Sequence, residues 1–373
     1  MGVNGPRRMK AAVLVSERSI EYRDVDVPEP GENELLVRVH ATGVCGSDLA
    51  TYRGTHPYKR PPVILGHELC GVVERVGTTV AGFAPGDKVC SAAFSQCDAC
   101  APCHRGAVNL CRNRANLCHA GWEGSFAEYV VLRENMTYLL PPDVDDASGA
   151  LAEPLSIGLH AVRLVENTPP ASTVVLGSGT IGLTCLIAAR KLGFGSIGCV
   201  DLGPAKGARA RRLGADYYVD ARAGNVVKAL AAQAPEGSDV TFVASGHDTV
   251  LDEACAITRP GGQIVVVSYF DRPRKIELNR LVSHGLSMRF SALSTPRDFA
   301  EVIDWLSRGE IDPASLITHR LPLSAAHEIS LMDHAPEDVG KIVLLPPSLS
   351  RSTSKPPAGL APERRGTDEQ LDR

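Results

Sequence analysis

Between residues 10 and 140 the apolar positions fall in short runs of β-branched or alternating character: Val13–Val15, Glu34–Val39, Gly71–Val76 and Ala127–Leu132. Such runs predict strands. Pro28, Pro30, Gly31, Gly77, Pro85 and Gly86 separate them and predict turns. This pattern suits a mostly antiparallel β domain. Near Ala147 the pattern changes. Strand-like runs at Thr173–Leu176, Ser196–Val200, Tyr217–Val219, Val240–Ala244 and Gln263–Ser268 alternate with helical spacing at Ile181–Leu192, Ala205–Leu213, Asn225–Gln233 and Thr249–Ile257. Strand and helix taking turns implies an α/β, doubly wound parallel sheet with helices on both faces. Phe299–Arg308 predicts one more helix and Lys341–Leu345 a final strand. From residue 346 onward the chain holds Pro, Ser and charges with almost no large apolar side chains, so it cannot offset chain entropy and reads as disordered.

Composition narrows the class. A chain of 373 residues can form two domains with separate cores. A net charge of −4 gives no global basic field to favour nucleic acid or an anionic membrane. No apolar run approaches the roughly 20 residues of a spanning helix. Met1–Lys10 carries basic residues without an apolar stretch behind them, so no signal peptide is expected and the expected location is cytoplasmic. Disulfides are uncommon there, so clustered thiols suggest metal and scattered ones suggest packing. Cys97, Cys100, Cys103 and Cys111 are clustered. Cys70, Cys90, Cys118, Cys185, Cys199 and Cys255 are scattered and read as small buried hydrophobes.

Two motifs carry chemistry by themselves. Gly177-Ser178-Gly179-Thr180-Ile181-Gly182 is a G-x-G-x-x-G turn between an apolar strand and a helix, with Asp201 at the end of the next strand. Gly177 permits the tight turn, Gly179 lets a pyrophosphate approach the backbone, and Gly182 lets helix and strand pack closely. The helix N-terminus offers free N–H groups to phosphate. A carboxylate at Asp201 suits the ribose hydroxyls and repels a 2′-phosphate, which favours NAD over NADP, although Lys206 and Arg209 stand nearby. The second motif is Cys97-x2-Cys100-x2-Cys103-x7-Cys111. Four thiolates at this spacing can close a tetrahedral zinc site with no open position, a structural rather than catalytic site. An iron–sulfur cluster is the alternative.

Cys45-Gly46-Ser47-Asp48, Gly66-His67-Glu68 and Glu153-Pro154-Leu155 are unremarkable singly. Taken in order with the four-cysteine lobe and the glycine-rich turn, they resemble the medium-chain zinc alcohol dehydrogenases. The likeness is greatest to the sorbitol and polyol branch, which includes threonine dehydrogenases, and it covers about residues 9 to 345. The resemblance implies a GroES-like catalytic domain over residues 1–155, with a structural zinc lobe at about 95–113. It implies a Rossmann domain over 156–298, a return to the first domain over 299–346 and a tail over 347–373. Two zinc ions per chain are expected. Cys45 and His67 would bind the catalytic one, with Glu68 and Glu153 as the remaining ligand candidates. Asp48 would accept a hydrogen bond from the free ring nitrogen of His67. Ser47 would take the proton of the bound alcohol. Many relatives continue that relay with a His three residues later, where this chain has Ala50; His56 is the nearby substitute, and otherwise a ribose hydroxyl and water carry the proton. Tyr52 and Trp122 are candidates to line the pocket.

The implied reaction is hydride transfer from a secondary alcohol (a polyol, cyclitol or aminocyclitol) to NAD, giving a ketone. A threonine-type amino-alcohol dehydrogenase and a biosynthetic aldehyde or ketone reductase share the same parts. A zinc-free enoyl or quinone reductase lacks the metal residues. A non-catalytic zinc- and NAD-binding protein is the reading from another class. The resemblance also implies a homodimer or homotetramer, assembled partly through the last Rossmann strand, here read as Gln263–Ser268.

Overall fold

Two large sheets divide the chain. The computed structural model describes residues 7–166, 169–334 and 336–347. The tail expected to be disordered therefore lies outside the described residues from 348 on. The first large sheet has seven strands. Its path runs Thr137–Leu139, Lys88–Ser91, Glu68–Val76, Glu34–Gly43, Lys341–Leu345 and Ile317–Pro322, and Tyr129–Arg133 also pairs with Glu34–Gly43. Glu34–Gly43 is its centre, and Leu35, Leu36 and Val37 are each 0% exposed because other strands and side chains cover both edges and faces. Register shifts at Leu36/Val37 and Val39/Ala41 let this long strand bend, serving Tyr129–Arg133 with one half and Lys341–Leu345 with the other. A smaller sheet orders Ser19–Asp26, Arg8–Ser16 and Val63–Ile64, and bridges to Ala127 through Ala11. Ser19–Asp26 escapes the hydrophobic pattern because most of it is exposed and polar.

The second large sheet is parallel. Its order is Tyr217–Asp220, Ser196–Asp201, Ser172–Leu176, Ser238–Val243, Thr258–Val266 and Ser287–Phe290. Val174, Val175 and Leu176 are buried, as expected for a strand covered on both faces. The strand order reverses between Ser172–Leu176 and Ser238–Val243. Such a switch point opens a crevice beyond the carboxyl ends of the strands, where doubly wound sheets bind ligands.

The structure corrects one expectation here. Gln263–Ser268 is not the last strand of this sheet: Thr258–Val266 is interior, and Ser287–Phe290 forms the edge. That strand has four residues, all intermediate or exposed, so it leaves no apolar run to read. The helix Ala152–Arg163 also lacks a plain sequence signal. Pro154 stands in its first turn, where a missing N–H costs nothing, and the helix buries Leu155, Leu159 and Val162. It runs through the domain boundary expected at residue 155. Lys341–Leu345 then returns the chain to the first sheet, pairing Val343 with Gly43 and Leu344 with Thr42.

Candidate active site

The metal-binding side chains gather where local turns present them. Cys45 is the N-cap of the helix Gly46–Tyr52, and its thiol accepts from the Ser47 N–H at 3.5 Å. Asp48 closes the reciprocal half of this cap by accepting from the Cys45 N–H at 3.0 Å. The capping box thus fixes both groups with one turn of helix. Asp48 is fully buried, and its second oxygen accepts from the Gly66 N–H at 3.4 Å and faces His67 Nδ1 at 3.6 Å. Gly66 has φ +95, and a side chain there would strike Phe126, so only glycine delivers His67 at this point. Burial works against the Asp48 charge, yet His67, Lys59 and the Cys45 N–H hold its carboxyl down at about 2.

Ligand atoms of Cys45, His67 and Glu68 lie within 4.8 Å of one another. Glu68 is spoken for: the Lys341 ammonium donates to its two oxygens at 2.8 and 2.7 Å and to the Val44 carbonyl at 3.0 Å. Lys341 and Glu68 are each 1% exposed. Glu153, in the first turn of Ala152–Arg163, is buried beside this group. Burial pushes its carboxyl up to about 7, with His67 opposing the shift and Glu68 adding to it. His67 Nδ1 is buried without a well-formed hydrogen bond. A thiol, an imidazole and a carboxyl that burial leaves short of positive charge form a donor set suited to zinc.

Sequence reasoning missed two neighbours. Cys118, read as packing, places its sulfur within 4.8 Å of the ligand atoms of Asp48 and His67. Lys59 is also buried beside these groups. Neither lies in a motif, so no sequence signal marks them. His56 is held within its own turn. Its Nδ1 accepts from the N–H groups of Lys59 and Tyr58, and burial, with Lys59, brings the ring down to about 4. Tyr52 is buried in its helix. Trp122 donates to the Val131 carbonyl at 2.9 Å beneath the Arg133 guanidinium, in a groove with Met9 and Val25.

In the lobe, Cys97, Cys100, Cys103 and Cys111 bring four sulfurs within 4.8 Å of one another. Asp98, at φ +53, turns the chain between the first two. The N–H groups of Arg112 and Cys103 lower the Cys100 thiol, while burial and the neighbouring cysteines raise Cys103. Asn109, buried between the third and fourth cysteines, donates to the Ala292 carbonyl at 2.8 Å and meets His160 Nε2 at 3.2 Å. The lobe is thereby tied to the helix that carries Glu153.

At the switch point, Gly177 has φ +100, and a Cβ on Gly182 would collide with the Gly177 carbonyl. A Cβ on Gly179 would meet nothing within 4 Å. The open side of that turn is a cradle at the N-terminus of Thr180–Lys191, with Thr180 and Ile181 in its first turn. Asp201 is held by the N–H groups of Ser178 and Leu202, both at 2.7 Å, and by Lys206 at 2.9 Å.

Comparison with known proteins identifies both halves of the chain. Residues 31–142 match the model for the alcohol dehydrogenase GroES-like domain, and residues 180–308 match that for zinc-binding dehydrogenase. A sorbitol dehydrogenase of Halalkalibacterium halodurans is 32% identical over 85% of this chain and 93% of its own. A zinc-binding dehydrogenase from Sinorhizobium meliloti, solved with NADP, is 30% identical with a TM-score of 0.83, over 91% of this chain and 100% of its own. An alcohol dehydrogenase from E. coli CFT073, solved with NADH, is 28% identical with a TM-score of 0.84, over 91% of this chain and 99% of its own. A GroES-like half that holds a Cys–His–Glu cluster thus faces a Rossmann half, and the chain belongs to the zinc-dependent medium-chain alcohol dehydrogenases, in their sorbitol-like branch.

Proposed function

We propose that this protein is an NAD-linked dehydrogenase that oxidises a secondary alcohol, in a polyol, cyclitol or aminocyclitol, to a ketone. The observation that carries the reading is the meeting of Cys45, His67 and Glu68 within 4.8 Å, with buried Glu153 beside them. Zinc held there supplies a Lewis acid for the substrate oxygen, and the nicotinamide supplies the hydride acceptor. The chain's own residues do the rest. Asp48 fixes the tautomer and orientation of His67. Lys341 holds Glu68 and balances its charge, and Glu68 and Glu153 are the two carboxylates that could complete the metal's ligands. Ser47 stands beside Cys45 at the helix start, where its hydroxyl would accept the substrate proton. Gly177–Gly182 would cradle the pyrophosphate, and the Asp201 carboxylate would take the adenosine ribose hydroxyls, which favours NAD over NADP although Lys206 stands beside it.

The lobe holds a second, structural zinc on its four cysteines. The chain works in the cytoplasm; among the described residues no helix is long and apolar enough to cross a membrane. It assembles as a homodimer or homotetramer, with Ser287–Phe290 offering an unpaired sheet edge to a second copy.

Elemental analysis should find two zinc ions per chain. Cys45→Ser should lower alcohol-dependent NAD reduction by about a thousandfold or more while leaving NADH binding nearly intact, because Lewis-acid assistance is worth several kcal/mol. One zinc or none in the wild type, or a fully active Cys45→Ser protein, would overturn the reading.

A further inference from the structure

The return strand Lys341–Leu345 brings one cation to the metal-binding cluster from the far end of the chain. Three strands stand in register there: Val343 pairs with Gly43, and Gly43 pairs with Glu68. Lys341 lies two residues before Val343 and so shares its face of the strand. A Cβ on Gly43 would collide with the Glu68 carboxylate. The bare backbone of the middle strand thus leaves room for that carboxylate, and the Lys341 ammonium crosses the same strand to reach it.

The ammonium donates to the two Glu68 oxygens at 2.8 and 2.7 Å and to the Val44 carbonyl at 3.0 Å. Both side chains are 1% exposed, so water neither screens the pair nor replaces it. Among the described residues Lys341 is the donor that the Glu68 side chain meets. Yet a Glu68 oxygen also lies within 4.8 Å of the ligand atoms of Cys45 and His67. Glu68 therefore stands between two cations: the ammonium it already holds, and a metal on Cys45 and His67. A zinc that does chemistry keeps one of its four positions for substrate. Cys45, His67 and Glu153, joined by a firmly bound Glu68, would fill all four.

We propose that Lys341 is a positioning residue that keeps Glu68 displaceable: by competing with the metal for this carboxylate, it lets the alcohol oxygen take a place beside Cys45 and His67. With the lysine present, a released carboxylate returns to a waiting ammonium. Without it, the same carboxylate would be a buried charge whose remaining cation is the metal, and it would stay there. This rests on the zinc dehydrogenase reading above and deepens it by naming what holds the substrate's position open.

The test reads the metal position apart from turnover. Protein loaded with cobalt(II) in place of zinc is titrated with imidazole, a neutral probe that binds at an exchangeable position and changes the visible cobalt spectrum. The four-cysteine site is closed and does not take it. Lys341→Met should weaken imidazole binding about tenfold or more. Adding Glu68→Gln to Lys341→Met should bring the affinity back near the wild-type value, because no carboxylate then remains to occupy the position. Damage to folding would not be repaired by that second change. An unchanged affinity in Lys341→Met, an equal loss in the double variant, or a wild-type site that takes no imidazole would overturn the assignment. If Lys341→Met does not fold, Lys341→Gln, which keeps a donor to Glu68 without the charge, is read in its place, alone and with Glu68→Gln. If neither lysine variant folds, Glu68→Gln alone decides: an affinity at or above the wild type's supports the proposal, and a weaker one overturns it. The expected pattern in a protein that oxidises no secondary alcohol would leave Lys341 in this role and remove the dehydrogenase reading.

Discussion

Asp201 shows how one carboxylate can serve both a turn and a cofactor. Its oxygens receive the Ser178 and Leu202 N–H groups and the Lys206 ammonium, so the side chain is held in position before any ribose arrives. Asp201→Ala should weaken NADH binding by roughly tenfold and raise the relative use of NADPH, because it removes both hydrogen bonds and repulsion. Fluorescence titration with both nucleotides checks this, and an unchanged ratio removes Asp201 from that role. Gly177 and Asp201 were readable in the sequence because a glycine-rich turn and an acidic residue ending the next strand stand at fixed offsets, whereas Cys45 and His67 entered only through the family resemblance. Lys341, Lys59 and Cys118 gave no such signal. Lys341 reaches Glu68 across 273 residues, and Cys118 resembles the other buried thiols until the fold sets it beside His67. Local spacing carries no trace of such meetings.

The helix Ala152–Arg163 links chemistry to support. Glu153 begins it, and at its other end His160 and Arg163 meet Asp298, with His160 Nδ1 and Asp298 at 2.9 Å. Asp298 also closes the capping box of the helix Pro296–Ser307 by accepting from the Thr295 N–H at 2.9 Å. Burial opposes its charge, but His160, Thr295 and Arg163 hold the carboxyl at about 2, below its ordinary value. The sign follows from a folded value below the unfolded one: the group adds stability above the ordinary aspartate value, near 4, and loses it as pH falls toward 2. Asp298→Asn should cost about 2–4 kcal/mol at neutral pH, as expected for breaking a buried pair. Urea unfolding of both proteins across this range should show the difference shrinking on acidification; a constant difference would show that charge is not the cause. At this scale the alternation of strands and helices was legible through its apolar periods. This helix was not, because a proline in its first turn imitates a loop, and neither was Ser287–Phe290, whose sides are half exposed.

At the scale of the molecule, the four most exposed large apolar side chains among the described residues fall within residues 269–290. Tyr269, Leu278, Val282 and Phe290 are 84%, 63%, 80% and 70% exposed. Phe290 lies on the edge strand itself. A sheet edge with apolar neighbours invites a second copy related by a two-fold axis. Phe290→Glu should therefore shift the protein to a smaller species in size-exclusion chromatography with light scattering, at unchanged helical circular dichroism. A monomeric wild type would exclude this interface. The two-part architecture was readable from the sequence, but which strand stood last was not, since strand order is a property of long-range pairing.

Lys341 lies on the last strand of the first sheet, yet it completes the acidic pocket begun at Glu68. During synthesis the nucleotide-binding half emerges and can fold while Glu68 still lacks its counter-cation. Translation must pass Lys341, 273 residues after Glu68, before the pocket's charges balance. The order of translation therefore postpones the reactive centre until everything that must surround it already exists.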